Sequence, residues 1–192
     1  MKFIHFALLM ILPFNSFAAD VFTEFRLGVQ DNYRKVVEHQ TNGTLQGTFK
    51  GTNFGLRVGL KSEDHQAYLE YNPEQDVEIK SANELAKVQS TFLGYRFFVT
   101  SGLFVGGQIG MSSFELEKGP NGVTFTDNPK TDGMTYGINL GYHYNIGKVL
   151  YLGADAAYNF GSYKKDGPSS NAVNTIEIQN QTQINLHVGM NF

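Results

Sequence analysis

The chain has 192 residues, enough for one domain, and it contains no cysteine, which excludes disulfides and thiolate metal sites. Its formal net charge is −3, so the composition does not favour nucleic acid as a partner. Charged residues make up only 17% of the chain whereas glycine occurs 21 times, a combination that is unusual for the surface of a water-soluble domain.

The first 18 residues have the pattern of a secretory signal peptide. Lys2 gives a positive start, residues 6–14 form an apolar run, and small residues ending at Ala18 resemble a cleavage site. The apolar run is too short to cross a membrane as a helix, which requires about 20 residues. We therefore predict export, removal of residues 1–18 and a mature domain of residues 19–192.

Apolar residues alternate with polar or small residues in eight later segments, which is the pattern of β-strands with two different faces. In the first segment, Phe25, Leu27 and Val29 share one face, while Arg26 and Gly28 share the other. The eight segments cover residues 23–30, 54–61, 67–71, 92–99, 103–111, 136–144, 150–160 and 183–192. The sequence therefore predicts an all-β domain of eight antiparallel strands.

Short and long connections alternate between these segments. Short turns lie at residues 62–65, 100–102 and 145–148, and long polar stretches lie at residues 31–51, 72–89, 113–132 and 161–181. In outer-membrane barrels short turns face the periplasm and long loops face the exterior, and we expect the same here. Three stretches of β character in the long loops also suggest strands that continue beyond the membrane: residues 35–37, 77–79 and 175–178.

Alternation alone does not say which face points outward, because a soluble barrel of the lipocalin type alternates with apolar residues inside. Two features favour lipid on the apolar face. The polar face is rich in glycine, which suits the narrow lumen of an eight-stranded barrel. The apolar face has aromatic residues near both ends and aliphatic residues between them, as lipid interfaces favour. We predict a membrane-spanning, closed, antiparallel up-and-down β-barrel in the outer membrane.

The final segment has apolar residues at every second position up to a terminal aromatic residue: Ile184, Leu186, Val188, Met190 and Phe192. With the eight segments, this ending resembles the family of small outer-membrane barrels that includes the OmpA transmembrane domain, OmpX/Ail and the opacity proteins. The resemblance implies that these five residues form the signal read by the barrel-assembly machinery. It further implies outer-membrane lipid and lipopolysaccharide as surroundings, and loops that bind host or other surface ligands.

Six charged residues fall on the polar face near the middle of their segments: Glu24, Arg26, Arg57, Glu70, Arg96 and Asp155. Isolated charges are costly to remove from water, so we expect the three carboxylates and three guanidinium groups to pair. Such a network would plug the lumen and fix its register. An ion path through this layer is the alternative, but open aqueous channels need wider barrels.

Four histidines follow the predicted signal peptide: His39, His65, His143 and His187. Their sequence spacing is not that of a metal site, so we predict no metal, no cofactor and no catalytic residue. The leading hypothesis is a non-enzymatic barrel with a role in envelope structure or surface interaction through four long extracellular loops.

Two alternatives remain open. One is a lipid A-modifying enzyme, either a deacylase with a His–Ser–carboxylate group on the outer wall or an acyltransferase with such a group near the extracellular rim. For the acyltransferase, His39 could meet Ser112, Ser113 or Asp76, although the luminal face is charged where an apolar pocket is needed. The other alternative is a narrow pore.

Overall fold

The computed structural model describes residues 19–38, 44–80, 83–118, 130–166 and 173–192. Within these ranges the structure contains no helix that is long and apolar enough to cross a membrane. The strands are β1 (Asp20–Glu38), β2 (Thr44–Ser62), β3 (His65–Ile79), β4 (Glu84–Phe98), β5 (Leu103–Lys118), β6 (Lys130–Ile146), β7 (Leu150–Asp166) and β8 (Val173–Asn191). The predicted signal peptide, residues 1–18, lies outside the described residues.

The eight strands form one closed barrel in chain order. Each strand is antiparallel to its neighbours in sequence, and β8 closes the sheet by pairing with β1. Closure gives every strand two partners and leaves no sheet edge exposed to lipid, where unpaired backbone groups are not tolerated. The predicted eight-stranded up-and-down barrel is confirmed.

The apolar face points outward, as predicted. The outward side chains of Leu27, Ile138 and Leu186 are 56%, 61% and 69% exposed, whereas Arg26 and Arg96 on the opposite face are 0% exposed. An exposed apolar band around a polar interior is the reverse of a soluble barrel and suits a lipid environment.

The short turns lie where the sequence predicts them. They are at the same end of the barrel as the start of β1 and the end of β8. Ser62 and His65 are register partners, so β2 and β3 are joined by a two-residue loop. The turn between β6 and β7 contains Gly147, whose φ of 77° lies in the left-handed region that glycine adopts without strain. This end faces the periplasm in outer-membrane barrels.

At the opposite end the strands are longer than predicted. They contain 15 to 19 residues, whereas about 9–11 residues cross a membrane as a tilted strand. Along β1 the outward residues change from Val29 to Asp31, and along β2 they change from Phe54 to Lys50. The barrel wall therefore continues beyond the apolar band at the end that faces the exterior in outer-membrane barrels, and we call this part the extracellular extension.

The prediction of four long loops is wrong in extent, because most of residues 31–51, 72–89, 113–132 and 161–181 lie in strands. The predicted continuation of β structure at residues 35–37, 77–79 and 175–178 is confirmed. Register shifts interrupt the pairing just above the apolar band, for example between Asn72 and Gln75 and between Phe160 and Tyr163. A bulge breaks the period-two pattern, so the alternation appeared to end there.

Candidate functional site: the luminal charge cluster

The structure brings together in the lumen all six charged residues that the sequence placed there, and we call them the charge cluster. Arg26 forms ion pairs with Glu70 and, over 2.8 Å, with Oδ1 of Asp155. The side chains of all three residues are completely buried. One guanidinium on β1 thereby links β3 to β7 across the barrel axis.

The other two guanidinium groups complete the network. Arg57 donates from Nε to Glu70 over 2.6 Å, and from Nη1 to Glu24 over 2.7 Å and to Asp155 over 3.0 Å. Arg96 lies 3.0 Å from both Oε2 of Glu24 and Oδ2 of Asp155. Each carboxylate therefore faces at least two guanidinium groups, which offsets the desolvation of charges in a closed interior.

Part of the charge cluster follows directly from strand register. Glu24 pairs with Arg57 between β1 and β2, and Arg57 pairs with Glu70 between β2 and β3. Cross-strand partners on one face lie about 4.5–5.5 Å apart at Cβ, which lets long side chains meet. The contacts of Asp155 cross the lumen instead, and they depend on closure of the barrel.

Neutral groups fill the remaining positions around the carboxylates. Asn72 donates to Glu70 over 2.7 Å, Asn185 donates to Asp155 over 2.9 Å, and the Tyr151 hydroxyl lies 3.2 Å from Oε2 of Glu24. The ring of Tyr68 lies 4.7 Å from Cζ of Arg57, a cation–π contact. The lumen is thus filled at this level by a charge-balanced, hydrogen-bonded layer.

Two histidines adjoin the charge cluster on its periplasmic side. Their spacing in the sequence did not predict that they would lie close together. Nε2 of His143 lies 3.6 Å from Oε2 of Glu24, and Nε2 of His187 lies 3.9 Å from the same oxygen. His143 is on β6 and His187 is on β8, with Gly153 of β7 as register partner of both. Only the absence of a side chain at Gly153 lets the two rings meet over β7.

An apolar cluster fills the lumen of the extracellular extension on β2–β5, where the sequence analysis expected a charged face. Its buried members are Phe49, Val77, Ala86, Val88, Phe114 and Leu116. The rings of Phe49 and Phe114 meet edge to face, with centroids 5.3 Å apart. The charge cluster therefore has an apolar packed layer above it, and the extension has a core of its own.

Of the residues considered for an acyltransferase, Ser112 lies on the inner side of the barrel wall, whereas Ser113 and Asp76 lie on the outer side. Ser112 is buried and its hydroxyl accepts a hydrogen bond from Thr135 over 3.1 Å, whereas Asp76 is exposed on the outer surface. His39 lies outside the described residues. The structure therefore does not bring Ser112 and Asp76 to one site.

The outer surface of the extracellular extension carries ion pairs of another kind. Nζ of Lys87 lies 2.9 Å from Glu117 and 3.1 Å from Glu74. Side-chain hydrogen bonds to Glu117 and then Glu74 raise the pKa of Lys87 above its usual range. All three side chains are partly exposed, so their contribution to stability is small.

The five residues of the predicted assembly signal all point outward on the last strand or just beyond it. Ile184, Leu186, Val188, Met190 and Phe192 are between 39% and 69% exposed. The backbone nitrogen of Phe192 donates to the carbonyl oxygen of Val21 over 2.8 Å, which ties the chain end to β1. The signal residues are thus accessible from the lipid side.

Comparison with known proteins identifies the family. A family model described as "Outer membrane protein beta-barrel domain" matches residues 4–192. No curated protein sequence matches the chain.

Solved structures of outer-membrane proteins share the fold at low sequence identity. Neisserial surface protein A (NspA) has 16% identity and a TM-score of 0.57, covering 88% of this chain and 97% of that one. OprG from Pseudomonas aeruginosa has 14% identity and a TM-score of 0.57, covering 92% and 97%. Ail of Yersinia pestis, in complex with the heparin analogue sucrose octasulfate, has 14% identity and a TM-score of 0.51, covering 90% and 99%.

Proposed function

This chain belongs to the outer membrane β-barrel family, and we propose that it is a non-enzymatic, non-conducting barrel that stabilises the envelope and presents its extracellular extension for surface interaction. The observation that carries this proposal is the occlusion of the lumen. Every ion pair of the charge cluster joins side chains that are 0% exposed. An eight-stranded barrel is only wide enough for its own side chains, so this layer leaves no aqueous path.

Planar-bilayer recording tests the absence of conduction. We expect no sustained unitary conductance from the purified, folded protein. A variant that removes two guanidinium groups, Arg57→Ala with Arg96→Ala, serves as the positive control because it should leave a wetted gap in the same layer. Steady unitary currents from the unaltered protein would overturn the proposal in favour of a narrow pore.

The non-enzymatic part of the proposal is tested by mass spectrometry of lipid A. We expect the same acyl chains in lipid A from cells with and without the gene. A mass difference of one acyl chain that depends on the gene would replace the proposal with the lipid A-modifying enzyme.

Surface interaction is supported by the form of the extracellular extension. A rigid support of paired strands with an apolar core carries the exposed charged side chains Lys50, Asp76, Glu78 and Lys130 beyond the apolar band. A binding surface that is already rigid loses less conformational entropy when a ligand binds to it. Ail was solved with a heparin analogue, so a sulfated polymer is the first ligand to test here.

The test replaces residues 34–46, and separately residues 163–178, by two-residue turns that shorten one hairpin each. We expect cells carrying the shortened barrels to lose adhesion to host matrix and to heparin-coated surfaces, and to survive less well in serum. Heat-modifiable migration on gels shows that each shortened barrel still folds. Unchanged adhesion and serum survival for both variants would remove surface interaction from the proposal.

Export and assembly complete the proposed function. Residues 1–18 act as a signal peptide that is removed after Ala18, and mass spectrometry of the mature protein checks the new N-terminus. The exposed alternating residues of β8, ending at Phe192, act as the signal for the barrel-assembly machinery. Their accessibility from the lipid side supports this role.

A further inference from the structure

We propose that Glu24, His143 and His187 form a binding site for a divalent transition-metal ion of the zinc class, reached from the periplasmic mouth of the barrel. One carboxylate oxygen and one nitrogen from each imidazole lie within 4.8 Å of one another. All three side chains are buried. The site shares Glu24 with the charge cluster, but it concerns ligand binding and not the occlusion that carries the proposed function.

The distances suit a small tetrahedral ion. Zinc bonds of about 2.0–2.1 Å in tetrahedral geometry separate ligand atoms by about 3.3–3.4 Å. Oε2 of Glu24 lies 3.6 Å from Nε2 of His143 and 3.9 Å from Nε2 of His187. The two imidazole nitrogens lie within 4.8 Å of each other, so they must approach by up to about 1.4 Å to reach this separation. Three protein ligands leave the fourth position to water.

The surroundings of His187 are the independent observation that points to a cation. Among the residues that the structure describes, neither ring nitrogen of His187 has a partner in good hydrogen-bond geometry. Both nitrogens nevertheless face carboxylates, Nδ1 lying 3.5 Å from Asp155 and Nε2 lying 3.9 Å from Glu24. A neutral imidazole has one proton and one lone pair, so only a second cation, either a metal ion or a second proton, lets both nitrogens face carboxylates without repulsion. A metal ion between Nε2 and Glu24 removes that repulsion.

The same geometry supplies the usual support of a metal-bound histidine. With the ion on Nε2, the proton of His187 lies on Nδ1, which is 3.5 Å from Oδ2 of Asp155. A carboxylate behind the ligating imidazole fixes its tautomer and increases its basicity. Nitrogen and carboxylate ligands together favour zinc, copper or nickel over calcium and magnesium, which prefer oxygen alone.

An access route leads to His143 from the periplasmic side. A cavity of about 120 Å³ lies among the short turns, and His143 forms part of its lining. Glu63 and Asp64 line the same cavity and would attract a cation, in part offset by Lys61. A volume of this size holds a few water molecules, so a partly hydrated ion can enter.

Arg96 limits the affinity of the site. Its Nη1 lies 3.0 Å from Oε2 of Glu24 and 3.4 Å from Nε2 of His143, the two atoms that the ion needs. If Arg96 moves away from Glu24 and His143, two of its other contacts can remain. Its Nη2 lies 3.0 Å from Asp155, and its Cζ lies 4.3 Å from the centre of the Phe104 ring. Metal binding therefore competes with one guanidinium, and removal of that charge should tighten it.

The test titrates Co²⁺, and then Zn²⁺ in competition, into the folded full-length barrel in detergent. We expect one saturable site with the intense visible absorption of tetrahedral Co²⁺, displaced by Zn²⁺. His143→Gln and His187→Gln should each weaken binding at least 100-fold. Arg96→Met should strengthen it about tenfold or more, a direction that a merely structural role of these histidines does not predict. His65→Gln, which alters an exposed histidine beside Tyr95, is the matched control and should change nothing.

Heat-modifiable migration identifies which variants fold. If either luminal variant does not fold, electron paramagnetic resonance of Cu²⁺ bound to the unaltered protein decides, with two imidazole nitrogens expected. No saturable binding, a copper spectrum without two nitrogens, or binding that survives both luminal substitutions in folded protein would overturn the site. None of these outcomes alters the conductance or lipid A results, so the two proposals fail separately.

Discussion

The rings of His143 and His187 meet in the lumen with centroids 4.7 Å apart, although their strands β6 and β8 are separated by β7. Gly153 is the register partner of both residues. A Cβ atom at Gly153 would collide with Nε2 of His187 and with the carbonyl oxygen of Tyr142. The contact of the two rings therefore depends on one missing side chain.

We expect Gly153→Ala to destabilise the barrel by about 1–3 kcal/mol, the usual range for inserting a methyl group into a packed interior. Unfolding in urea, followed by the folded fraction on gels, measures the change. Gly107→Ala is the matched control, because a Cβ there meets no other atom closer than 3.7 Å. Equal losses for the two variants would show that the contact at the histidines does not set the effect.

Glu70 is the second test of luminal packing, because it accepts from both Arg26 and Arg57. We expect Glu70→Gln to lower the free energy of unfolding by about 3–5 kcal/mol, since removing one partner leaves buried charge uncompensated. Glu74→Gln alters another glutamate of β3 that pairs with Lys87 at the surface, and little change is expected there. A smaller loss for Glu70→Gln than for Glu74→Gln would contradict the idea of a tightly paired luminal network.

Phe114 tests whether the extracellular extension is held by its own core. Phe114→Ala removes a fully buried ring that meets Phe49, and we expect a loss of about 3–5 kcal/mol. Protease added to intact cells should then cut the connections between β3 and β4 and between β5 and β6 more readily. Phe97→Ala, which alters an outward ring near the periplasmic end, should leave this cleavage unchanged. Cleavage that does not respond to Phe114→Ala would mean that the apolar cluster does not hold the extension.

Phe192 separates assembly from stability. We expect Phe192→Ala to reduce the amount of barrel in the outer membrane of cells several-fold, while refolding of the purified protein in detergent is nearly unaffected. Phe192 is 68% exposed and its main tie to the sheet is a backbone hydrogen bond, which the substitution keeps. Phe25→Ala, on the same outward face, is the control. Equal loss of both variants in cells would indicate a general need for interfacial aromatic residues and no special signal.

The sequence determined the strands and their two faces. In a membrane barrel an outward side chain meets lipid and an inward side chain meets the polar lumen. Apolar and polar residues therefore alternate strongly along each segment. The same constraint placed Arg26, Arg57 and Arg96 inside, because a guanidinium on the lipid side at this depth costs several kcal/mol. The side-chain types within a single segment decide these features, so each segment can be predicted without the others.

The sequence indicated the ends of the strands less clearly. Above the apolar band the outer surface meets water, so the contrast between the two faces weakens, and register shifts such as that between Asn72 and Gln75 break the period. The apolar cluster around Phe114 was missed for the same reason. Its members come from four strands and reveal themselves as a core only when the barrel is closed.

Only the tertiary structure decides which side chains contact each other across the lumen. Arg26 meets Asp155 across 129 positions of the chain, and His143 meets His187 through the gap at Gly153. Sequence places each of these side chains on the inner face, but closure and register decide which ones come within bonding distance. Because every inward side chain shares one narrow space, the lumen depends on all eight strands at once, and no single segment contains that information.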